Sequence, residues 1–395
     1  MSEKLLTNNS STRHCNVSDS NNIVCKSVGF DTLKTIWNTL SQREFDSIYG
    51  PGVCSSWEWH DCLRGYLLRD RDVKITAAYS NSLCVGILPL VETHQKHMGL
   101  KWKALEHWQE YAHTRPGLII KGFDHKIMAE ILSDIFNHDE YGSIKITVIS
   151  GSNDERLLSD AICSCNLRSI KTPHAESGYI EHSDVCSEDG ELYGLGKKFL
   201  HQIRRNRRLL HERYNMRVVF YDRSNQSNEF LGYMWDVENN TWKDDAGTSI
   251  PKSAAQSYLY TELFNKTIKR GWFLGTVLFC DDKPISYHYG EVYNNVYESL
   301  KTSYNKEYRK YSPAHVMRSV LIPKLLRDGI KVHDFIGVMD SGKKQWNAKS
   351  YKCTTYMLFA NNLSGSLAYS KELLTSYKSR IISDAMKIIT KLRNN

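Results

Sequence analysis

The chain has 395 residues, 41% hydrophobic, 24% charged and 11% aromatic, which is ordinary globular usage and enough length for two cores. Its formal net charge of +8 favours anionic partners as a class, among them CoA phosphates, nucleic acid and an anionic membrane surface. The ten cysteines are scattered with no CxxC pair or Cys/His ligand spacing, which argues against structural zinc, and no apolar run is long enough to cross a bilayer.

The opening "MSEKLLTNNSSTRHCNVSDSNN" is polar and lacks the apolar stretch of a signal peptide; residues 1–22 are expected to be a disordered tail, and the protein to be cytoplasmic with reduced thiols. From Ile23 the pattern alternates. Helices are expected over Phe30 to Gln42 and over "SSWEWHDCLRGYL" (55–67). The strand "VKITAAY" turns at Asn81-Ser82 into "LCVGILPLVETH", a hairpin, and "PGLII" (116–120) reads as a further strand. "HKIMAEILSDIFNH" is an amphipathic helix, followed by the strand "SIKITVIS". Composition turns acidic and aperiodic around 182–198, which places a domain boundary near residue 180, so that 23–180 and 181–368 form two domains.

The second half repeats the plan. A basic helix (about 197–213) leads into "MRVVFYD", a helix covers "QSYLYTELFNKTIKRG", and "WFLGTVLFC" pairs with "PISYHYGEVY" across Asp281-Asp282-Lys283. "NVYESLKTSYN" extends this meander, a helix runs from 314 to 328, "VHDFIG" supplies a strand, and "YKCTTYMLFAN" closes the sheet. On the basic helix Lys197, His201, Arg204, Arg205 and Arg208 spread over one side and Phe199, Leu200, Ile203 and Leu210 gather on the other, with Arg207 on the apolar side. Such a helix presents either a phosphate-binding face or an ordinary solvated one. Residues 369–395 read as an amphipathic basic helix that docks on its own domain, pairs in a dimer or meets a membrane. A monomer and a homodimer both remain open.

The segment "EYRKYSPAHVMRSVLIPKLL" carries the chemistry. Pro313 suits the first helical position and Ser312 is a favoured N-cap, so the free N–H groups and positive dipole end at this terminus suit a diphosphate, with Lys306, Arg309 and Lys310 just upstream. A capped helix behind a solvated basic loop is the plain alternative. Proton collection from an attacking amine requires a base, and His288 in "ISYHYGEVY" is the first candidate, with Glu291 and Asp334 as alternatives. A buried strand histidine without catalytic duty fits the same pattern. There is no GxSxG elbow, P-loop or GxGxxG after a strand.

Meander, Ser-Pro-Ala turn, helix, Asp-containing strand and Lys-x-x-Trp segment together resemble the GNAT acyltransferase superfamily, and within it the CelD-like cellulose-biosynthesis acetyltransferases. The elements are Tyr304, Tyr308, Ser312-Pro313-Ala314, Asp334, Gly337 and Lys343 to Trp346. The resemblance implies an α/β fold of two tandem GNAT-like domains, each a mostly antiparallel sheet flanked by helices. It implies transfer of an acyl group, acetyl first, from acyl-CoA to an amine of an amino sugar or an envelope or polysaccharide precursor, with no metal. The donor would contact Arg309, Lys310, Tyr311, Ser312, Pro313, Ala314 and His315. Catalysis would involve His288, Tyr304 and Asp334, and the acceptor Trp242, Lys243, Lys344 and Trp346. Where most GNAT enzymes have a Gln/Arg-x-x-Gly-x-Gly/Ala loop, this chain has "RKYSPAH", which keeps the helix terminus but not the glycines. The more distant Fem-type resemblance implies an aminoacyl-tRNA donor instead. An acyl carrier protein as donor and an inactive GNAT fold acting as a binding protein are further alternatives.

Overall fold

The computed structural model describes residues 23–42, 48–97, 99–108, 115–138, 141–225, 229–245, 247 and 249–375. The expected tail and most of the expected C-terminal helix lie outside them. Among the described residues no helix is long and apolar enough to cross a membrane.

The first half contains β1 (Ile23–Ser27), α1 (Lys34–Ser41), α2 (Trp57–Tyr66), β2 (Val73–Ser80), β3 (Leu83–His97), β4 (Leu100–His107) and β5 (Ile119–Ile120). It continues with α3 (His125–His138), β6 (Tyr141–Ile149), α4 (Asn153–Ser164) and β7 (Arg168–Glu181). The second begins with α5 (Lys197–Arg213), β8 (Met216–Tyr221), α6 (Glu229–Asn239), α7 (Trp242–Asp245) and α8 (Ala254–Arg270). Then come β9 (Phe273–Cys280), β10 (Lys283–Tyr293), β11 (Val296–Tyr304), α9 (Pro313–Arg327), β12 (Val332–Val338), α10 (Ser341–Lys344) and β13 (Lys349–Phe359). A last helix, α11, covers 363–375.

All thirteen described strands share one sheet, ordered β1-β2-β3-β4-β6-β13-β7-β12-β11-β10-β9-β8, with β5 paired to β3. The order is a palindrome. From either edge there is a four-strand antiparallel meander, then a parallel fifth strand (β6 beside β4, β12 beside β11). Next to each fifth strand lies the last strand of the other half: β13 pairs with β6, β7 pairs with β12, and the two pair with each other. The "YKCTTYMLFAN" strand, expected to close the sheet, sits at its centre between β6 and β7. Its residues Tyr356 and Leu358 join the core of the first half, beneath α3 and α4. On the opposite face one aromatic core runs through both halves, from Trp37, Trp57 and Trp108 to Phe230, Phe264, Phe273 and Tyr289.

On the second half's other face α9 packs Val316, Met317, Leu321, Ile322 and Leu325 against the sheet and α5. Burial of each large aliphatic side chain contributes about 2 kcal/mol. The expected apolar face is present, but Val320 and Leu326 lie on its margin, only half-buried. On α5 the buried positions are Ile203, Asn206 and Leu210, and Arg207 is exposed instead of lying on the apolar side. The i, i+3, i+7 stripe passes beside position 207, so its side chain reaches water directly.

Candidate active site

The parallel pairing of β11 with β12 comprises three register pairs, Val296–Val332, Tyr297–His333 and Glu298–Asp334, and then stops. Irregularities on both strands part them there. In β11 the ladder to β10 skips Leu300, between Ser299 and Lys301. In β12 the register to β7 breaks between Asp334 and Val338, and Ile336 and Gly337 adopt φ of 50° and 69°. Ile336 is held in this costly conformation by its N–H donating to Asp334 Oδ1 at 2.9 Å and its carbonyl accepting from Lys343 Nζ at 2.6 Å. The result is a wedge opening from Glu298 and Asp334, with α9 leading from one wall to the other.

One face of this apex carries buried charge. Glu298 Oε1 accepts from Arg115 Nη2 at 2.7 Å and from the Val53 N–H at 2.9 Å, while among the described residues Oε2 has no hydrogen-bond partner. Gly52 permits this approach, because a Cβ there would lie 2.8 Å from Glu298 Oε1. Asp334 accepts from Tyr351 Oη at 2.9 Å as well as from Ile336. Glu298 thus pairs directly with Arg115, and Asp334 lies close enough to feel the same positive charge; all three are fully buried. Burial pushes Glu298 up to about 7, with Asp334 adding to the rise and Arg115 opposing it. Burial likewise raises Asp334 against the pull of Arg115. Arg115 is desolvated too, but Glu298 and Asp334 hold it cationic, above its ordinary value. Burial thus favours the neutral form of both carboxyls, and Arg115 opposes it.

The face toward α9 holds neutral histidines around a second guanidinium. His288 is fully buried, with Nδ1 3.1 Å from Ser299 Oγ, and burial followed by Arg318 pushes its pKa well below the ordinary value. His333 shifts the same way, and His315 falls to about 4, for the same two leading causes. Trp346 Nε1 donates to His315 Nδ1 at 3.0 Å, and Phe199 of α5 meets both rings edge-on. A cavity of about 240 Å³ lies beside them, lined by Phe199, Gln202, Asn206, Ser312, His315 and Gln345.

The residues expected to hold the donor cluster at the start of α9, with differences. Ser312 occupies the N-cap position in a left-handed conformation (φ 50°) and makes no side-chain cap. Its carbonyl instead accepts from the N–H groups of His315 and Val316, so Pro313 having none, Ala314 carries the free amide of that turn among the described residues. Arg309 and Lys310 are exposed, whereas Tyr311 is buried against α5 and accepts from Arg213 Nη1 at 2.9 Å. Of the expected acceptor contacts, Lys243 Nζ donates to the Thr302 carbonyl of β11 at 2.9 Å, Lys344 is exposed, and Trp346 is fully buried. The Trp242 side chain lies outside the described residues. Tyr304 ends β11, six positions beyond the last pair with β12.

Glu298, Arg115 and Arg318 were missed in the sequence. Arg318 had a signal: with Leu321, Ile322 and Leu325 it forms an i, i+3, i+4, i+7 set, a charge in an apolar stripe. Glu298 had a fainter one, a carboxylate among strand-forming residues in "NVYESL". Arg115 had none, since its role depends on contact across 183 positions of sequence.

Residues 197–352, from α5 into β13, match the model of a family described as an acetyltransferase (GNAT) domain. Among solved structures, FemX aligns with a TM-score of 0.54 at 10% identity, covering 83% of this chain and 96% of that one. A conserved protein of unknown function from Bacteroides thetaiotaomicron VPI-5482 aligns at 0.53 and 10% identity, covering 85% and 99%. The C-terminal DUF2156 domain of a putative lysylphosphatidylglycerol synthetase from Agrobacterium fabrum aligns at 0.52 and 12% identity, covering 88% and 97%. No curated protein matches the chain by sequence. Over most of its length the chain shares the fold of FemX and of the DUF2156 domain, and its residues 197–352 are similar to a GNAT acetyltransferase domain. None of the comparisons singles out the CelD-like branch.

Proposed function

We propose that the protein is an N-acyltransferase that takes an acyl-CoA donor in the wedge between β11 and β12 and passes its acyl group to an amine of a polar acceptor. The observation that carries this reading is the end of parallel pairing at Glu298–Asp334, beside a carboxyl tuned to about 7. The amine nitrogen forms a bond to the thioester carbonyl carbon, the C–S bond breaks, and the nitrogen gives up a proton. The β11 edge beyond Glu298, unpaired on the β12 side, offers backbone amides to the developing oxyanion. Glu298 and Asp334 collect the proton, since a base near neutrality combines availability with strength. The thiolate carries away the electron pair and is protonated to the thiol. His288, neutral and bonded to Ser299, fixes the β11 wall. The pantetheine diphosphate meets the Ala314 N–H, Arg309 and Lys310. An amino sugar or an envelope or polysaccharide precursor is the proposed acceptor, on the side where Lys243 meets β11.

One observation favours a second reading. Arg204, Arg205, Arg207 and Arg208 of α5 are all exposed, a face suited to the phosphates of an aminoacyl-tRNA donor. A thermal-shift series with acetyl-CoA, longer acyl-CoAs, free CoA and tRNA separates the two. A CoA ligand at one hundred times its dissociation constant stabilises the fold by about 2.7 kcal/mol. Stabilisation by tRNA alone, falling steeply with salt, overturns the CoA reading.

A further inference from the structure

Arg318 projects from the second turn of α9 and is only 7% exposed. Among the described residues its buried Nε has no acceptor and no carboxylate lies within ion-pair distance of the guanidinium. Aromatic rings cover it, Phe335 at 4.7 Å and Trp346 at 5.7 Å, and these offset part of the lost hydration. Rings meet the flat face of a guanidinium, however, and do not accept from its in-plane N–H groups, of which Nε is buried without an acceptor. The surrounding imidazoles of His288, His315 and His333 supply no counter-charge. Asp340 lends it some negative charge from beyond ion-pair distance, but a guanidinium buried this deeply without a direct counter-ion is costly to the fold, and a ligand oxyanion would supply the missing partner.

Its position indicates which part of the ligand that is. Phe335, under the guanidinium, is the first residue beyond the last β11–β12 pair, so Arg318 stands at the closed end of the wedge. Arg309 and Lys310, the exposed cations suited to phosphates, lie before the start of α9, more than one helical turn away along the chain.

We propose that Arg318 recognises an oxyanion on the acyl end of the donor, so that the transferred group is a dicarboxylic monoacyl unit whose free carboxylate pairs with the guanidinium fork. This rests on the assignment of the wedge to an acyl-CoA donor. Isothermal titration of the full chain and of Arg318→Met with acetyl-CoA, succinyl-CoA, S-acetylpantetheine and S-succinylpantetheine tests it. The wild type should bind succinyl-CoA at least about tenfold more tightly than acetyl-CoA, the effect of one charge-assisted hydrogen bond, and Arg318→Met should bring that ratio close to one. The two pantetheine thioesters should show the same ratio and the same collapse. A ratio near one in the wild type, or one that survives in the variant, overturns the proposal. A variant that weakens both CoA thioesters equally while sparing both pantetheine thioesters assigns Arg318 to the phosphates and also overturns it. If no thioester binds the wild type, the donor assignment itself has failed. Should Arg318→Met not fold, Arg318→Lys keeps the charge without the planar fork and should reduce the ratio instead of erasing it.

Discussion

Replacing Glu298 by Gln should change how stability depends on pH, by an amount that follows from the buried trio. Glutamine keeps an oxygen where Oε1 accepts from Arg115 and Val53 and places its amide where Oε2 has no hydrogen-bond partner among the described residues. It resembles the protonated carboxyl and has no proton to lose. In the wild type the folded chain holds this proton up to about 7, while an unperturbed glutamate releases it near 4.5. The folded state therefore binds more protons across that window. Its contribution to stability is complete below the unfolded value and is lost as pH rises through the folded one. The shift corresponds to about 3 kcal/mol. Urea denaturation of both proteins at steps from about pH 4 to about pH 8 measures the difference. Glu298→Gln should gain about 3 kcal/mol on the wild type across this range, while losing most of the turnover if the carboxyl pair collects the proton. A difference that does not change with pH would refute the tuning of Glu298 and its assignment as the base.

Gly52→Ala brings a Cβ to 2.8 Å from Glu298 Oε1 and 3.0 Å from Arg115 Cβ, and should cost about 1–3 kcal/mol in urea denaturation. Leu321→Ala, at a fully buried site under α9, should cost about 2–5 kcal/mol by the same assay. Trp346→Phe removes the donor to His315 Nδ1; it should lower stability by about 1 kcal/mol and weaken acyl-CoA binding in titration calorimetry. Asp334→Asn should reduce kcat far more than it changes donor affinity, as single-turnover and binding measurements would show.

What was legible in the sequence depended on local signals. The β9–β10 hairpin was marked by its turn and alternation, and Asp281 adopts the positive φ (54°) that such a turn requires. The start of α9 was marked by Pro313, but not the carbonyl of Ser312 occupying the amides behind it. β7 escaped notice because "RSIKTPHAESGYIE" has the composition of a loop; it is a strand because β12 and β13 pair with it on either side. β4 was hidden because Lys101 and Lys103 interrupt its apolar residues, with Trp102 and Ala104 turned inward between them. The central exchange of β7 and β13 was beyond local reading, as was the meeting of Arg115, Glu298 and Asp334, since each depends on contacts between distant segments. His288 illustrates the middle case. Its strand was evident, but its complete burial by α9 was not.

Hydrogen exchange with and without acetyl-CoA tests the donor cleft most directly. Binding in the wedge should slow exchange at the amides of Ser299 to Thr302, on the free edge of β11, and at Ala314, while β4 and β6 in the other half stay unchanged. Slowed exchange confined to the first half, or to the exposed face of α5, would contradict the account.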